Sequence, residues 1–173
     1  MEQHESKSGG SQLLKQYLES HQVAAELVAP GVSMPTVPLA AAALGVEPAR
    51  VVKSILFQGK KDATVVALAV APGDARVVAA KVAAALGISQ LKLASPQTVL
   101  SSTGYEVGGV PPVGHTTRVP TVVDKRVLGS EFVFGGGGDE EHMLRIAPDD
   151  IVRLTGAVTA DITTELETGP TSP

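Results

Sequence analysis

The chain contains no cysteine and no tryptophan, and aromatic residues make up only 3% of its 173 residues. The absence of cysteine excludes disulfides, thiolate metal sites and a cysteine nucleophile. It also fits a reducing, cytoplasmic compartment. With so few aromatic residues, a core must be built from aliphatic side chains, for which the 43% hydrophobic content is sufficient. The length is typical of one domain.

A long apolar run and an excess of positive charge are also missing. No stretch of about 18 apolar residues occurs, and the polar start MEQHESKSGGSQ lacks the apolar segment of a secretory signal, so we expect no membrane partner. The 14 basic and 18 acidic residues give a net charge of −4. Proteins that grip long duplexes usually carry a strong basic excess, so DNA is not an expected partner. A pocket for one nucleic-acid end is compatible with this balance.

The hydrophobic pattern predicts one folded domain over residues 12–164, between mobile polar tails at 1–11 and 165–173. Two β-branched runs, residues 51–58 and 64–71, flank a polar turn and predict a β-hairpin. Five further strands and five helices are expected around this hairpin. The mixture is typical of a single mixed α/β or α+β domain with a mixed sheet.

The ends of several helices are indicated by the residues that cap them. Ser11, Thr36 and Ser95 are the expected N-caps of three helices, because short polar side chains accept hydrogen bonds from a first helical turn. Gly45 and Gly87 are the expected ends of two helices. The whole Ala-rich segment ARVVAAKVAAALG, which ends at Gly87, is predicted to be helical.

Lys53 lies in the predicted strand VVKSILF, with Val51 and Ile55 on its own face and Val52 and Ser54 on the other. Lysine is rarely buried without a partner. Two interpretations are open. Lys53 lies at a sheet edge and its ammonium reaches water, or its ammonium points into a pocket and holds an anionic or carbonyl group.

The loop GYEVGGVPPVGH, residues 104–115, is rich in glycine and proline and yet apolar. Gly108 and Gly109 allow backbone N–H groups to approach a ligand closely, because glycine has no Cβ. Pro111 and Pro112 stiffen the turn. A rigid loop that offers N–H groups suits a carbonyl or an oxyanion. The alternative is an ordinary tight connection packed by its valines.

Asp124 ends the predicted strand VPTVVD. Its carboxylate has three candidate uses, which are binding of backbone, capping of the next turn and pairing with Lys53 or a nearby arginine. The pattern favours a structural role.

The segment GGGGDEEHM, residues 135–143, has neither the glycine spacing of a dinucleotide-binding loop nor the lysine of a phosphate-binding loop. A metal site is a weak alternative, because contiguous residues cannot all point at one ion. The pattern favours a solvated hairpin tip. Two interpretations are open for His142, which begins the next strand, and His115, at the end of the Gly/Pro loop. They face one cleft, or each is structural or exposed, which is more common for a lone histidine.

In order along the chain, these segments resemble the YbaK/prolyl-tRNA synthetase-associated domain family. The resemblance is carried by VVKSILF, PGDARVVAAKVAAALG, LKLASPQTVLSSTGYEVGGVPPVG and VPTVVD, and runs from about Thr36 to Asp161. It implies a mixed, partly barrel-like sheet wrapped by helices. It also implies an aminoacyl-tRNA deacylase that needs no metal and no other cofactor.

The resemblance assigns roles to individual residues. It implies that Lys53, Gly108 and Gly109 are the catalytic residues. Lys53 would hold the terminal adenosine end of tRNA, and Gly108 and Gly109 would present N–H groups to the aminoacyl carbonyl. Water is the implied nucleophile, helped by the terminal 2′-hydroxyl of the tRNA. The family's specificity position falls on His142 or Met143. The remaining residues expected to bind substrate are Thr36, Ser54, Val110, Pro112, His115 and Asp124.

The sequence therefore predicts a free-standing hydrolase that removes the amino acid from mischarged tRNA in trans. Its expected partners are the acceptor end of that tRNA and an aminoacyl-tRNA synthetase. One alternative is a non-catalytic module that binds tRNA ends or a small amino-acid-like ligand. Another is a hydrolase of a different activated acyl compound.

Overall fold

The computed structural model describes residues 2–165 of the chain and the side chains of residues 9–164. The predicted tail beyond Glu165 lies outside the described residues. The helices and strands within them are α1 (Glu2–Ser20), β1 (Glu26–Val28), α2 (Val37–Leu44), β2 (Val52–Gly59), β3 (Val66–Pro72), β4 (Ala75–Val77), α3 (Ala79–Leu86), β5 (Leu91–Leu93), α4 (Pro96–Thr103), β6 (Thr121–Asp124), β7 (Val133–Gly136), β8 (Met143–Ile146), α5 (Pro148–Thr155), β9 (Val158–Ala160) and β10 (Thr163–Glu165).

The strands form a five-stranded sheet, a three-stranded sheet and a two-stranded sheet. The five-stranded sheet has the order β5-β2-β3-β6-β9. It contains the predicted β2–β3 hairpin, and β6 joins it in parallel to both β3 and β9, so the predicted mixed α/β fold is confirmed. The smaller sheets, β1-β8-β7 and β10-β4, are antiparallel. All three sheets are open, so the partly barrel-like arrangement implied by the family does not reach closure.

The five-stranded sheet is covered by helices on both faces. Successive residues of a strand point to opposite faces, so Leu56 and Phe57 of β2 enter different cores. Leu56 packs in the larger core with residues of α1, α4 and α5, whereas Phe57 packs in a second core with α3. A third core lies under α2. Each fully buried aliphatic side chain stabilises the fold by about 1.5–3 kcal/mol. The larger core also contains three residues of the Gly/Pro loop, namely Tyr105, Val110 and Val113.

The predicted helix caps at Thr36 and Ser95 are confirmed. Thr36 Oγ1 accepts a hydrogen bond from Leu39 N at 3.4 Å, and Ser95 Oγ accepts one from Thr98 N at 3.2 Å. Gly45 and Gly87 end α2 and α3 in the left-handed conformation. These boundaries follow from chemistry within a few residues.

The prediction for the first helix was wrong. Residues 2–11 are helical, so Ser11 lies within α1 rather than at its N-cap. The helix crosses Gly9 and Gly10 despite their low helix propensity. Gly10 lies against the backbone of Gly138, where a Cβ would overlap. This tertiary contact explains a glycine in the helix at a position where local propensity opposes it.

A second correction concerns the Ala-rich segment. Its first residues, Ala75–Val77, form strand β4, and the helix occupies only Ala79–Leu86. β4 pairs with β10, which lies nearly 90 residues later and was not predicted, and β9 was also missed. Both short strands owe their existence to pairing with distant strands. None of the helices in the described residues is long and apolar enough to cross a membrane.

Candidate active site

The Gly/Pro loop packs directly on the glycine-rich turn that follows β7. Gly138 N donates to Gly109 O at 2.9 Å. A Cβ on Gly136 would lie 2.7 Å from the carbonyl carbon of Val110, and one on Gly135 would lie 2.8 Å from Pro112 Cδ. The predicted solvated hairpin tip is therefore wrong for the glycines of this turn, which serve close backbone contact, although Glu140 and Glu141 beyond them are exposed.

The N–H groups of the loop are not equally available. Gly109 N donates to Glu106 O at 3.0 Å within the turn, so its N–H is already engaged in the free chain. The N–H groups of Gly108 and Val110 have no acceptor within the part of the chain that the structure describes. Gly108 is exposed and has a φ of +96°, a conformation that favours glycine. The loop can therefore offer two N–H groups, from Gly108 and Val110. These two residues flank Gly109, which lines the loop cleft described below, but do not line it themselves.

Two clefts meet at His142. The first, the loop cleft, has a volume of about 930 Å³ and lies between the Gly/Pro loop and the turn after β7. The second, the helix cleft, has a volume of about 990 Å³ and lies between α1 and β1. Among the residues that line the loop cleft are Ser33, Tyr105, Gly109, Gly138, Asp139 and His142.

The loop cleft is acidic. Glu106, Asp139, Glu140 and Glu141 line it, and no lysine or arginine does among the side chains that the structure describes. Ser33 Oγ donates to Glu140 Oε1 at 3.3 Å, which ties the segment before α2 to the far wall. The cleft thus favours a cationic or hydrogen-bond-donating group in its ligand.

His142 and Met143 point in opposite directions. His142 Nδ1 lies 2.8 Å from Asp139 Oδ1, an oxygen that also accepts a hydrogen bond from Glu141 N at 2.9 Å. The His142 side chain is 32% exposed and lines both clefts. Met143 is 5% exposed and packs in the core under α2. Of the two candidates for the specificity position, only His142 reaches a cleft.

His115 stands behind the loop rather than in a cleft. Its Nε2 donates to Pro111 O at 2.8 Å. Burial lowers the pKa of His115, and the hydrogen bond to the Pro111 carbonyl offsets this only in part. Because His115 lines neither cleft, the interpretation in which it shares one with His142 is wrong. It braces the loop.

Lys53 lies on the face of β2 opposite the loop. Val52, its neighbour, packs in the larger core and against Gly135, so Lys53 faces the other way, opposite Ala71 of β3. Lys53 lines neither cleft. Partial burial lowers its pKa, and the nearby charge of Asp74 raises it in part. The structure therefore does not bring Lys53 and the loop into one cleft.

Ser54 shares the loop face of β2 with Val52. Its Oγ is buried and has no hydrogen-bond partner among the described residues. An unpaired buried hydroxyl is uncommon, because leaving one unsatisfied costs about 1–3 kcal/mol. Ser54 therefore remains a candidate for a contact that the free chain does not make.

Asp124 and Thr36 have structural roles in this fold. Asp124 is 1% exposed, and its Oδ2 accepts hydrogen bonds from Ile162 N at 3.0 Å and Thr163 Oγ1 at 2.8 Å. Burial raises the pKa of Asp124, but these bonds and the one from Arg126 N outweigh it and hold the pKa below its usual range. We therefore correct the expectation that Asp124 binds substrate, since it has no free oxygen facing a cleft. Thr36 is the cap of α2.

The sequence pattern did not identify two residues, Tyr105 and Asp139, as part of the site. Tyr105 is 1% exposed, and its hydroxyl donates to Gly114 O at 2.9 Å, which closes the base of the loop. Burial, followed by the neighbouring Tyr17, raises the pKa of Tyr105 to about 12. Asp139 orients His142, and its position three residues before the histidine was the available signal. Within the described residues, no group of three or more His, Asp or Glu side chains could hold a metal ion.

The protein is a small mixed α/β domain with a stiff Gly/Pro loop, available N–H groups and an acidic cleft. These features suit a site that binds or hydrolyses a small polar group. Comparison with known proteins identifies the family. The model of the aminoacyl-tRNA editing domain matches residues 32–154. The chain belongs to this family, and the resemblance drawn from the sequence is confirmed.

Individual relatives agree with that assignment. The chain is 30% identical over 125 residues to EbsC of Enterococcus faecalis, named as a candidate Cys-tRNA(Pro)/Cys-tRNA(Cys) deacylase. This alignment covers 72% of this chain and 75% of EbsC. It is 39% identical over 100 residues to the proline–tRNA ligase of Thermotoga neapolitana. This alignment covers 57% of this chain but only 16% of the ligase. A crystal structure described as a candidate trans-editing enzyme for prolyl-tRNA synthetase superposes with a TM-score of 0.79, at 33% identity, over 90% of this chain and 97% of the other.

Proposed function

We propose that the protein is a free-standing editing hydrolase that deacylates mischarged tRNA in trans. The observation that carries this proposal is the match in extent. The chain covers almost the whole of a structure described as a trans-editing enzyme but only a small part of the proline–tRNA ligase. The activity in the relatives' names is extended to this chain on that basis.

The loop supplies the proposed electrostatic contribution. The ester carbonyl oxygen of the aminoacyl group would accept hydrogen bonds from the N–H groups of Gly108 and Val110, which have no other acceptor among the described residues. These donors would stabilise the negative charge that develops when water attacks the carbonyl carbon. The bond from that carbon to the ribose oxygen then breaks, and the tRNA hydroxyl leaves. One such donor typically contributes about 10²–10³-fold to the rate.

The acidic cleft fits the rest of the aminoacyl group. A free amino acid ester carries a positively charged amino group, and Glu106, Asp139, Glu140 and Glu141 surround the cleft that would receive it. His142, held by Asp139, is proposed to contact the amino-acid side chain and set which one is removed. Because an aminoacyl ester is already activated, positioning and hydrogen bonding suffice, and we propose that no metal takes part.

Lys53 is proposed to act at a distance from the ester. It lies on the opposite face of β2 from the loop, and its partial burial keeps its ammonium poorly hydrated. An ammonium in that position suits a phosphate of the terminal nucleotides rather than the carbonyl. A synthetase is a further proposed partner, since related domains occur within proline–tRNA ligases. The proposed substrate places the protein in the cytoplasm.

The test is deacylation of a panel of tRNAs charged with Ala, Ser, Thr, Cys and Pro, with the wild-type chain beside Lys53→Ala and His142→Ala variants. We expect release of one amino acid by the wild type. Lys53→Ala should raise KM for tRNA, because it removes a phosphate contact. His142→Ala should change the order of preference among amino acids. Lys125→Ala is the matched control, because Lys125 is exposed and lines neither cleft.

Two outcomes would contradict the proposal. Binding of tRNA without any release would favour the non-catalytic module. Release from a simple activated acyl ester that tRNA does not inhibit would favour the other hydrolase.

A further inference from the structure

Positive charge is concentrated in one part of the chain. Residues 48–105 contain seven of the 14 basic residues but only two of the 18 acidic residues, Asp62 and Asp74. The rest of the chain is correspondingly acidic, which includes the four acidic residues of the loop cleft. The net charge of −4 therefore hides a strong separation of charge.

Three of these lysines converge at the turn between β2 and β3. Lys60 and Lys61 directly follow the last residue of β2, and Lys60 N donates to Gln90 O at 3.0 Å, which fixes the turn beside the start of β5. Lys92 of β5 pairs with Gln58 of β2. Two strands and one turn thus place Lys60, Lys61 and Lys92 side by side, and we call these three residues the basic tip.

The basic tip is exposed, and its lysines are not held in ion pairs. All three lysines are exposed, and none forms an ion pair with any acidic residue that the structure describes. Asp62 is in the same turn, but its Oδ1 accepts hydrogen bonds from Thr64 Oγ1 at 2.6 Å and Thr64 N at 3.0 Å. These two bonds lower the pKa of Asp62 and hold its carboxylate within the turn.

The position of the tip relative to the loop is set by β2. Val52, at the start of β2, lies beside Gly135, which in turn packs against Pro112 of the Gly/Pro loop. The tip lies just past the other end of the same strand. Lys60 lies seven positions after Lys53 along the extended chain, which corresponds to about 23 Å. The tip also extends from β5, an edge strand, so no further strand covers it.

We propose that Lys60, Lys61 and Lys92 bind backbone phosphates of the tRNA acceptor stem while the loop cleft holds the aminoacyl end. This inference rests on the proposed function. When the aminoacyl end of a tRNA lies in the loop cleft, the phosphates of its acceptor stem lie further from the cleft. Among the described residues, the tip is an exposed basic cluster without ion pairs, and it lies at the far end of β2. Exposed lysines bind phosphates without reading sequence, so the tip supplies affinity and leaves the choice of amino acid to the cleft.

The test compares the Lys60→Gln/Lys61→Gln/Lys92→Gln variant with a control of equal charge change, Arg76→Gln/Arg118→Gln/Lys125→Gln, whose three side chains are also exposed. Each is assayed on mischarged tRNA and on an aminoacyl-adenosine ester that is too small to reach the tip, over a range of salt concentrations. Binding of uncharged tRNA is measured in parallel.

For the tip variant we expect KM for mischarged tRNA and Kd for uncharged tRNA to rise by about tenfold near physiological salt. The slope of log Kd against log salt should fall by about one unit per lysine. Hydrolysis of the small ester should stay unchanged, and the control variant should match the wild type in every assay.

Three results would overturn the inference. The first is a tip variant that keeps the wild-type slope and Kd. The second is a control variant that loses as much affinity for tRNA as the tip variant does. The third is a tip variant whose hydrolysis of the small ester falls as much as its hydrolysis of mischarged tRNA. If the wild type hydrolyses neither substrate, the proposed function fails, and the Kd for uncharged tRNA still decides whether the tip binds phosphates. In a parallel assay with anionic vesicles, loss of vesicle binding by the tip variant without loss of tRNA binding would assign the tip to a membrane surface instead.

Discussion

At the loop cleft, backbone atoms of the Gly/Pro loop and of the turn after β7 touch one another, whereas at the basic tip three lysine side chains extend into solvent. The cleft is lined by acidic residues and the tip by basic ones. The backbone contact beside the cleft therefore depends on residues that lack a side chain, whereas the tip depends on side-chain charge alone. Substitutions in the two regions should differ in kind as well as in size.

The largest effect is expected at the contact between the loop and the turn. Gly136→Val would place side-chain atoms against the Val110 carbonyl, so the loop or the turn must move. We expect a loss of about 1–3 kcal/mol in the free energy of unfolding, measured in urea, together with loss of deacylation. Gly129→Ala is the control, because a Cβ there meets no atom within 4 Å. Equal stability of Gly136→Val and Gly129→Ala would show that the close contact is not required.

A loss of stability of similar size, but without loss of deacylation, is expected at a carboxylate that sits apart from both regions. Asp124→Asn keeps the size of the side chain but replaces an oxygen that accepts bonds from Ile162 N and Thr163 Oγ1 with a donor. We expect a loss of about 1–3 kcal/mol in the free energy of unfolding at pH 7. Asp62→Asn, at the exposed turn of the tip, should change stability little. This pair contrasts a buried carboxylate with an exposed one.

The pH dependence of stability sharpens that contrast. The pKa of Asp124 is lower in the folded protein than its ordinary value, so the folded state is stabilised above the unfolded pKa of about 3.9. This contribution should be lost as the pH falls from there through the folded pKa, and it should be absent in Asp124→Asn. Urea unfolding from pH 7 to pH 3 measures it. A wild type and variant that lose stability in parallel would contradict the assigned role of Asp124.

The sequence predicted those parts of the fold that depend on neighbouring residues. The caps at Thr36 and Ser95 and the β2–β3 hairpin follow from local chemistry, and all are present. The strands β4 and β10 were not predicted, because each is only three residues long and is formed by pairing with the other. α1 includes Gly9 and Gly10, and the contact of Gly10 with Gly138 is one that no local pattern reveals.

The candidate site was predicted less completely than the fold. The loop was identified from composition, but the engagement of Gly109 N with Glu106 O depends on the turn geometry. His142 and Met143 could not be separated because a shift of one residue on a strand reverses which side chain faces the cleft. The direction of Lys53 was open for the same reason. Side-chain direction at a strand end is settled by packing partners, which here come from distant segments.

The central claim is that Gly108 and Val110 donate their N–H groups to the ester carbonyl. The most direct test is a titration of ¹⁵N-labelled protein with a non-hydrolysable aminoacyl-adenosine analogue, followed through the backbone amide signals. The account predicts saturable shifts at Gly108, Val110 and His142, with the Gly109 amide less affected because it is already bonded to Glu106 O. Shifts confined to α1 and β1 around the helix cleft, or no shifts in the loop at saturation, would contradict it.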